Sequence, residues 1–180
     1  MYEIELKVRA DHGPVRERLG ELGADPLDTV TQVDTYYDHP DRNFARTDEA
    51  LRIRREEPAD DDPVTRLTYK GPLVESASKT REEIETRVGD GDAMDAALRG
   101  LGFDPVPPVR KERERFRLEE YTVTLDTVAG AGTFVEVERE GSEDEIEAVR
   151  EGARAVLRDL GLDPTDHVRT SYLELVVDPS

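Results

Sequence analysis

The chain has 180 residues and no cysteine, and its 43 acidic against 25 basic residues give a formal net charge of -18. The length predicts one compact domain over residues 1–180, and the missing cysteines exclude disulfides and thiolate metal sites. We expect a cytoplasmic protein with no membrane span and no nucleic-acid partner, because long apolar runs, a basic and apolar leader, and a basic surface are all absent.

The first half of the chain predicts a strand, a helix and then further strands. Residues 2–9 alternate between polar and apolar side chains, which is the period of a β-strand. Pro14 is placed to open a helix, which Gly23 ends. Short strands are then predicted over residues 35–37, 51–54 and 66–70, with an acidic loop from Pro58 to Pro63 between the last two.

The second half repeats this order. Residues 83–88 echo residues 3–8 at an offset of 80, and residues 101–105 echo residues 22–26 at an offset of 79. An internal duplication explains both echoes, although β-patterning and a common helix stop account for each one separately. Later elements are predicted strands over residues 110–118, 121–127 and 134–139, a helix from Ser142 with Glu145 as its capping box, and an apolar strand over residues 172–177.

These elements predict an α+β fold with about eight antiparallel strands and three helices outside. Eight strands are about the number that closes a small barrel. We therefore expect an eight-stranded antiparallel β-barrel with helices packed around it, with or without an internal two-fold repeat.

The polar faces of the predicted strands carry cations, although the chain as a whole is acidic. The cations are 21 Arg and only 4 Lys, and an acidic, lysine-poor composition is typical of a salt-loaded cytoplasm. A solvated outer face is the usual meaning of strand alternation, but on this chain such a face would be mostly acidic. The pattern therefore favours a charged interior, whose charges need partners. The few lysines are the better candidates for a function: Lys7, Lys70, Lys79 and Lys111.

The charged faces predict a site for a metal–polyphosphate complex. Cations from several strands suit a chain of phosphates, because Arg binds phosphate oxygens with two N–H groups and Lys supplies a compact charge. Two alternating pairs, Glu3 with Glu5 and Glu136 with Glu138, suit a hard divalent cation. The P-loop signature GxxxxGK[ST] is absent, so these phosphates are not bound by a P-loop.

Several short motifs also occur in one order along nearly the whole chain. They are Glu3-Ile4-Glu5-Leu6-Lys7, Leu51-Arg52-Ile53-Arg54, Tyr69-Lys70-Gly71, Arg81-Glu82-Glu83-Ile84-Glu85, Lys111-Glu112-Arg113, Leu125-Asp126 and Phe134-Val135-Glu136-Val137-Glu138. With its ExExK opening, this set resembles the CYTH domain, the superfamily of class IV adenylyl cyclases and thiamine triphosphatases. The resemblance implies an eight-stranded tunnel that holds a triphosphate and a divalent metal, Mg²⁺ or Mn²⁺, and it makes a homodimer plausible.

The resemblance also implies roles for single residues, carried over by position. The triphosphate-binding residues are Lys7, Arg52, Arg54, Lys70, Lys111 and Arg113, with Arg81 in addition. The metal-binding residues are Glu3, Glu5, Glu136 and Glu138, and Glu83, Glu85 and Asp126 are further metal-binding or orienting groups. The candidates for catalysis are Lys7, Glu5 and Asp126.

Two further stretches resemble the class IV cyclase branch: Gly-x-Gly-x-Phe-x-Glu over residues 130–136, and Ser171-Tyr172. That branch implies conversion of ATP to cyclic AMP and pyrophosphate. Hydrolysis of an inorganic, thiamine or nucleoside triphosphate stays open as an alternative, and so does a non-catalytic polyphosphate- or nucleotide-binding module. A binding module would not need the paired carboxylates, so their presence favours an enzyme.

Overall fold

The computed structural model describes residues 1–74 and 77–177. The strands are β1 (Tyr2–Arg9), β2 (Asp25–Asp38), β3 (Ala50–Pro58), β4 (Val64–Lys70), β5 (Lys79–Arg87), β6 (Asp104–Pro105), β7 (Val109–Leu118), β8 (Tyr121–Val128) and β9 (Gly132–Gly141). Eight of them form an antiparallel ring in the order β3-β4-β5-β1-β9-β8-β7-β2, which β2 closes on β3. The short β6 pairs with the end of β2 outside this ring. The predicted closed barrel is confirmed.

Within the described residues, five helices pack around the barrel. They are α1 (His12–Glu21), α2 (Phe44–Thr47), α3 (Gly91–Gly100), α4 (Ile146–Asp159) and α5 (Tyr172–Val177). The three longer ones are those predicted, and a 3₁₀ turn over Glu143–Glu145 leads into α4. The Ser142 N–H and hydroxyl both donate to the Glu145 carboxylate at 2.9 Å, which confirms the capping box. Among the described residues, no helix is both long and apolar enough to cross a membrane.

The strand predicted over residues 172–177 is wrong, because these residues form α5. Ser171 Oγ accepts a hydrogen bond from the Glu174 N–H at 3.2 Å, and the Glu174 carboxylate accepts one from the Ser171 N–H at 3.4 Å. This reciprocal pair is a capping box, which starts a helix.

The strand predicted over residues 35–37 is the end of a much longer one, since β2 has 14 residues. It pairs with β7 on one edge and β3 on the other. Its first five side chains are exposed, and its register with β7 shifts between Pro26 and Asp28. A bulge of this kind breaks the two-residue period, which hides the first half of the strand from a sequence pattern.

The ring of strands keeps its order when its two halves are exchanged. Strands β1, β2, β3 and β4 correspond to β5, β7, β8 and β9. When each strand is replaced by its counterpart, the order of neighbours around the ring is the same, read in the opposite direction. The halves meet where β1 pairs with β5 and where β2 pairs with β7. This symmetry supports the internal duplication that the two sequence echoes suggested.

The main apolar core lies between the outer face of the barrel and the helices α1 and α4. Ile4, Leu6 and Val8 of β1 are buried there with Val149 and Leu157 of α4. Because successive side chains of a strand point to opposite faces, the polar positions between them point into the barrel. The interior of the barrel is therefore the charged surface.

Candidate active site

A cavity of about 410 Å³ lies inside the barrel, lined by the inward faces of the strands and by α2 and α5. All four lysines of the chain line it. The predicted arginines and glutamates also line it: Arg52, Arg54, Arg81, Arg113, Glu3, Glu5, Glu83, Glu85, Glu136 and Glu138. The structure therefore brings every predicted site residue to one cavity except Asp126, which lies behind Arg113 in its wall.

A buried aspartate joins three of these cations. Arg54 donates through Nε and Nη2 to the two carboxylate oxygens of Asp34, at 2.7 and 2.8 Å. Arg52 Nη1 lies 3.8 Å and Lys111 Nζ 3.7 Å from the same carboxylate. Burial alone would raise the pKa of Asp34, but Arg54, Arg52 and Lys111 hold it well below its usual value. Asp34 is thus ionised, and its charge balances the cations of the cavity wall.

A second buried group surrounds Arg113. Its Nε and Nη2 donate to the two oxygens of Asp126 at 2.8 and 2.6 Å, and Nη2 also donates to Glu136 at 2.8 Å. The Tyr172 hydroxyl donates to Asp126 at 2.7 Å. Burial opposes ionisation of Glu136, yet Arg113, Lys111 and Lys7 hold its pKa well below the usual range. Both acids therefore balance Arg113 in this arrangement.

Two lysines face an aromatic ring. The ammonium groups of Lys7 and Lys111 lie 4.1 and 4.9 Å from the ring centroid of Tyr172, within the range of cation–π attraction. Burial, with the nearby Arg113 and Arg54, lowers the pKa of Lys111 to about 7. The tunnel therefore holds Lys111 near the point where it gains or loses a proton at neutral pH.

Three carboxylates form a group that can hold a metal ion. One oxygen each of Glu3, Glu5 and Glu138 lies within 4.8 Å of the others. Burial raises the pKa of Glu138 to about 7; the charge of Arg113 opposes this rise, and those of Glu136 and Glu5 add to it. Burial likewise raises the pKa of Glu3 well above its usual value. Glu136, the fourth predicted ligand, is set apart from this group by its hydrogen bond to Arg113.

The second acidic strand holds cations in place. Lys70 Nζ lies 3.2 Å from Glu83 and 3.7 Å from Glu3. Although burial opposes it, Lys70 and the Glu3 hydrogen bond lower the pKa of Glu83 to about 2. Glu85 accepts a hydrogen bond from Thr68 at 2.9 Å and is more exposed. These contacts fit the orienting role predicted for both glutamates.

Arg81 is tied to the connection between α2 and β3. Its guanidinium donates to the Asp48 backbone carbonyl and, at 2.8 Å, to the Asp48 carboxylate. Lys79 lies 3.9 Å from that carboxylate. Both cations line the cavity, and Arg81 ties β5 to the connection between α2 and β3.

A sequence profile described as the CYTH domain matches residues 1–172. The chain belongs to the CYTH domain family. A Methanocaldococcus jannaschii protein whose name proposes an adenylate cyclase is 41% identical over 177 residues, which cover 97% of this chain and 98% of that protein. A solved structure from Pyrococcus horikoshii OT3 is 39% identical and has a TM-score of 0.91, with 99% of each chain covered.

A third comparison supports the fold alone. A Hippeastrum protein, described as an adenylyl cyclase candidate with a dominant triphosphatase activity, is 20% identical and has a TM-score of 0.70 over 99% of this chain and 96% of that one.

CYTH proteins are metal-dependent enzymes of the adenylyl cyclase or triphosphatase type, and they act on triphosphates. This chain is accordingly an enzyme of that superfamily.

The carboxylate group fits the divalent metal that CYTH enzymes require. Its donors are all oxygens, which hard cations prefer, and the cations of the same cavity suit a metal that also binds phosphate oxygens. A bound cation would also relieve the repulsion among these buried acids. Glu3, Glu5 and Glu138 are therefore the residues that would hold the metal.

Three residues of this CYTH site were missed by sequence reasoning. Asp34 has a charge opposite to that of the cations it joins, so the cationic pattern did not mark it. Tyr172 was placed on a strand instead of a helix that reaches the cavity. Lys79 had a usable signal, because the scarcity of lysine marked it, yet no motif gave it a role.

Proposed function

We propose that this CYTH protein converts ATP to cyclic AMP and pyrophosphate, with Mg²⁺ or Mn²⁺. The observation that supports a nucleotide is a set of uncharged side chains in the cavity lining. They are Tyr36 at the end of β2, Phe44 of α2, Ala50 at the start of β3 and Leu173 of α5. Aromatic and apolar side chains pack against the flat faces of a base, whereas an inorganic triphosphate offers no surface for them.

The residues of the tunnel supply what phosphoryl transfer needs most, which is alignment and charge neutralisation. Lys7, Arg52, Arg54, Lys70, Lys111 and Arg113 bind the phosphate oxygens. The 3′-hydroxyl of the ribose attacks the α-phosphorus, and the bond from this phosphorus to the oxygen that bridges it to the β-phosphate breaks. Pyrophosphate leaves, and the hydroxyl proton passes to solvent. A metal held by Glu3, Glu5 and Glu138 would supply further neutralisation of the phosphate charge.

A second candidate is a triphosphatase, in which water attacks the γ-phosphorus of inorganic or nucleoside triphosphate. The observation that favours it is that the charged side chains of the described cavity suit phosphate and metal rather than an adenine edge. The same fold also carries a dominant triphosphatase activity in the Hippeastrum protein. A site built for phosphates alone would accept inorganic triphosphate at least as well as ATP.

A product assay decides between the two reactions. The enzyme is given ATP, inorganic triphosphate or thiamine triphosphate in molar KCl with Mg²⁺ or Mn²⁺, and cyclic AMP, pyrophosphate and phosphate are separated. Cyclic AMP with an equal amount of pyrophosphate is the expected result. If ATP yields ADP or nothing while inorganic triphosphate is consumed quickly, the protein is a triphosphatase.

A matched variant tests these uncharged side chains. Leu173→Ala removes apolar surface from the lining and no hydrogen-bond partner of a cation, so it is expected to weaken ATP binding and spare inorganic triphosphate. Equal weakening of both ligands would contradict a base-binding role for this part of the cavity.

A further inference from the structure

Two arginine–aspartate pairs in the tunnel wall have the same geometry. In each pair the arginine uses Nε and Nη2 to bind both carboxylate oxygens, Arg54 on Asp34 and Arg113 on Asp126, over distances of 2.6 to 2.8 Å. Both aspartates are 0% exposed. We call these two pairs the clamps. A side-on contact of this kind fixes the plane of a guanidinium and leaves its Nη1 group outside the pair.

The clamps lie on equivalent strand pairs in the two halves of the barrel. The strand that carries the aspartate in one half corresponds to the strand that carries the arginine in the other. Asp34 and Arg54 face each other across β2 and β3, and Arg113 and Asp126 face each other across β7 and β8. Strands β2 and β3 correspond to β7 and β8 in the symmetric ring. Asp34 precedes Arg113 by 79 residues, which is one of the two offsets of the sequence echoes. The duplicated barrel therefore presents one clamped guanidinium from each half.

The clamps also have a cation between them. Lys111 lies on β7, 3.7 Å from Asp34, and both Arg54 and Arg113 act on its charge. Asp34 is thus the shared counter-charge of Arg52, Arg54 and Lys111. Without it, three like charges would repel one another inside a buried wall, and their spacing would be free to change.

We propose that Asp34 is a positioning residue for the triphosphate. It orients Arg54 so that Nη1 faces the phosphates, and it sets the spacing of Arg52, Arg54 and Lys111 without touching substrate or metal. Asp126 does the same for Arg113 and is not itself a metal ligand. This inference deepens the proposed function and rests on its triphosphate-binding site, whichever reaction follows.

The proposal separates binding from turnover. Asp34→Asn keeps the shape of the side chain and removes its charge, so the cavity becomes more positive and the affinity for inorganic triphosphate is expected to stay equal or increase. Turnover is expected to fall by about 10- to 100-fold, because small misplacements of catalytic groups cost rates of this order. Arg54→Ala, which removes a phosphate contact instead, is expected to weaken binding.

The experiment combines kinetics and calorimetry in molar KCl for the parent, Asp34→Asn, Asp126→Asn and Arg54→Ala. Glu21→Gln is the control, because Glu21 pairs with Arg18 within α1, outside the barrel. The proposal requires a lower kcat with unchanged or tighter triphosphate binding in Asp34→Asn, and parent values in Glu21→Gln. Binding that weakens in Asp34→Asn as much as in Arg54→Ala overturns it, and so does an unchanged kcat.

A spectroscopic readout keeps the clamp testable whatever the reaction is. In ¹⁵N spectra of the arginine side chains, the Nε–H of Arg54 should be protected from exchange, lose that protection in Asp34→Asn, and keep it when inorganic triphosphate binds. The Nε–H of Arg113 should respond in the same way to Asp126→Asn alone. If triphosphate abolishes the Arg54 protection, the substrate displaces Asp34 and the positioning role is wrong. A parent enzyme that binds no triphosphate would refute the proposed function instead, with the clamp still visible.

Discussion

The cations of the tunnel differ in how much of their charge is already balanced by buried acids. Arg54 and Arg113 each bind two carboxylate oxygens, and Lys70 lies near two glutamates. In the described part of the chain, Lys7 has no carboxylate within ion-pair distance and faces the Tyr172 ring instead. A bound triphosphate would therefore gain most from Lys7, whose charge is the least compensated.

The metal group predicts different outcomes for neighbouring glutamates. Glu138→Gln is expected to raise the metal concentration needed for half-maximal activity by about tenfold or more, because a hard anionic ligand is lost. Glu140→Gln is the control, since Glu140 lines the same cavity but is exposed and outside the carboxylate group. Equal metal titrations for Glu138→Gln and the parent would show that this assignment is wrong.

Lys111 predicts a proton taken up on binding. With a pKa lowered to about 7, it is mostly neutral at pH 8 in the free enzyme, and a triphosphate favours its protonated form. Affinity should therefore fall as pH rises from 6 to 9, and calorimetry in two buffers should show proton uptake at pH 8. Lys111→Arg stays charged throughout this range and should remove most of the uptake. Equal uptake in both proteins would assign the proton to another group.

At the scale of the elements, the helices hold the barrel in shape from outside while its interior stays polar. The outer face of β1 is covered by α4, and α5 closes one region of the cavity wall. Tyr121 of β8 reaches α4, where its hydroxyl donates to the Val149 carbonyl at 2.9 Å. This contact requires a close approach of the Tyr121 ring to the helix backbone at Gly152.

The close approach predicts an unusual response to alanine. A Cβ at position 152 would collide with the Tyr121 hydroxyl, so Gly152→Ala is expected to lower the free energy of unfolding by about 1–3 kcal/mol. Gly20→Ala in α1 meets nothing within 4 Å and is expected to raise it by up to about 1 kcal/mol, since alanine favours helices. Denaturant unfolding measures both, and a Gly152→Ala protein as stable as the parent would contradict the packing described.

At the scale of the whole molecule, the charge distribution is divided between inside and outside. The cavity is lined by nine basic and eleven acidic side chains, which account for little of the net charge of -18 that the chain carries. The excess acid therefore lies on the outer surface and in the loops. Such a surface repels itself unless salt screens it.

This surface predicts that salt stabilises the fold. The screening length is about 30 Å at 0.01 M salt and about 3 Å at 1 M, so the melting temperature should rise steeply between dilute buffer and molar KCl. Molar sucrose, which does not screen charge, serves as the control and should give a smaller rise. A melting temperature that is the same in dilute buffer and molar KCl would refute the salt-adapted interpretation of the composition.

Strand alternation by itself determined the barrel, its charged interior and most of the residues that line it. A two-residue period assigns each side chain to a face, and a net charge of -18 makes a cationic face stand out. The scarcity of lysine marked the four lysines as candidates, because a residue type that the chain otherwise avoids is kept for a reason. The short motifs then identified the family that the profile confirms.

Only the tertiary structure decided which charges meet. Alternation gives the face of a residue but not its cross-strand partner, which depends on register and on closure of the ring. Glu136 and Glu138 look alike in sequence, yet one pairs with Arg113 and the other joins the carboxylate group. Asp34 becomes a counter-ion because β2 lies between β3 and β7, whose cations flank it. Tyr172 belongs to the site because α5, which begins at the capping box of Ser171 and Glu174, brings its hydroxyl to the buried Asp126.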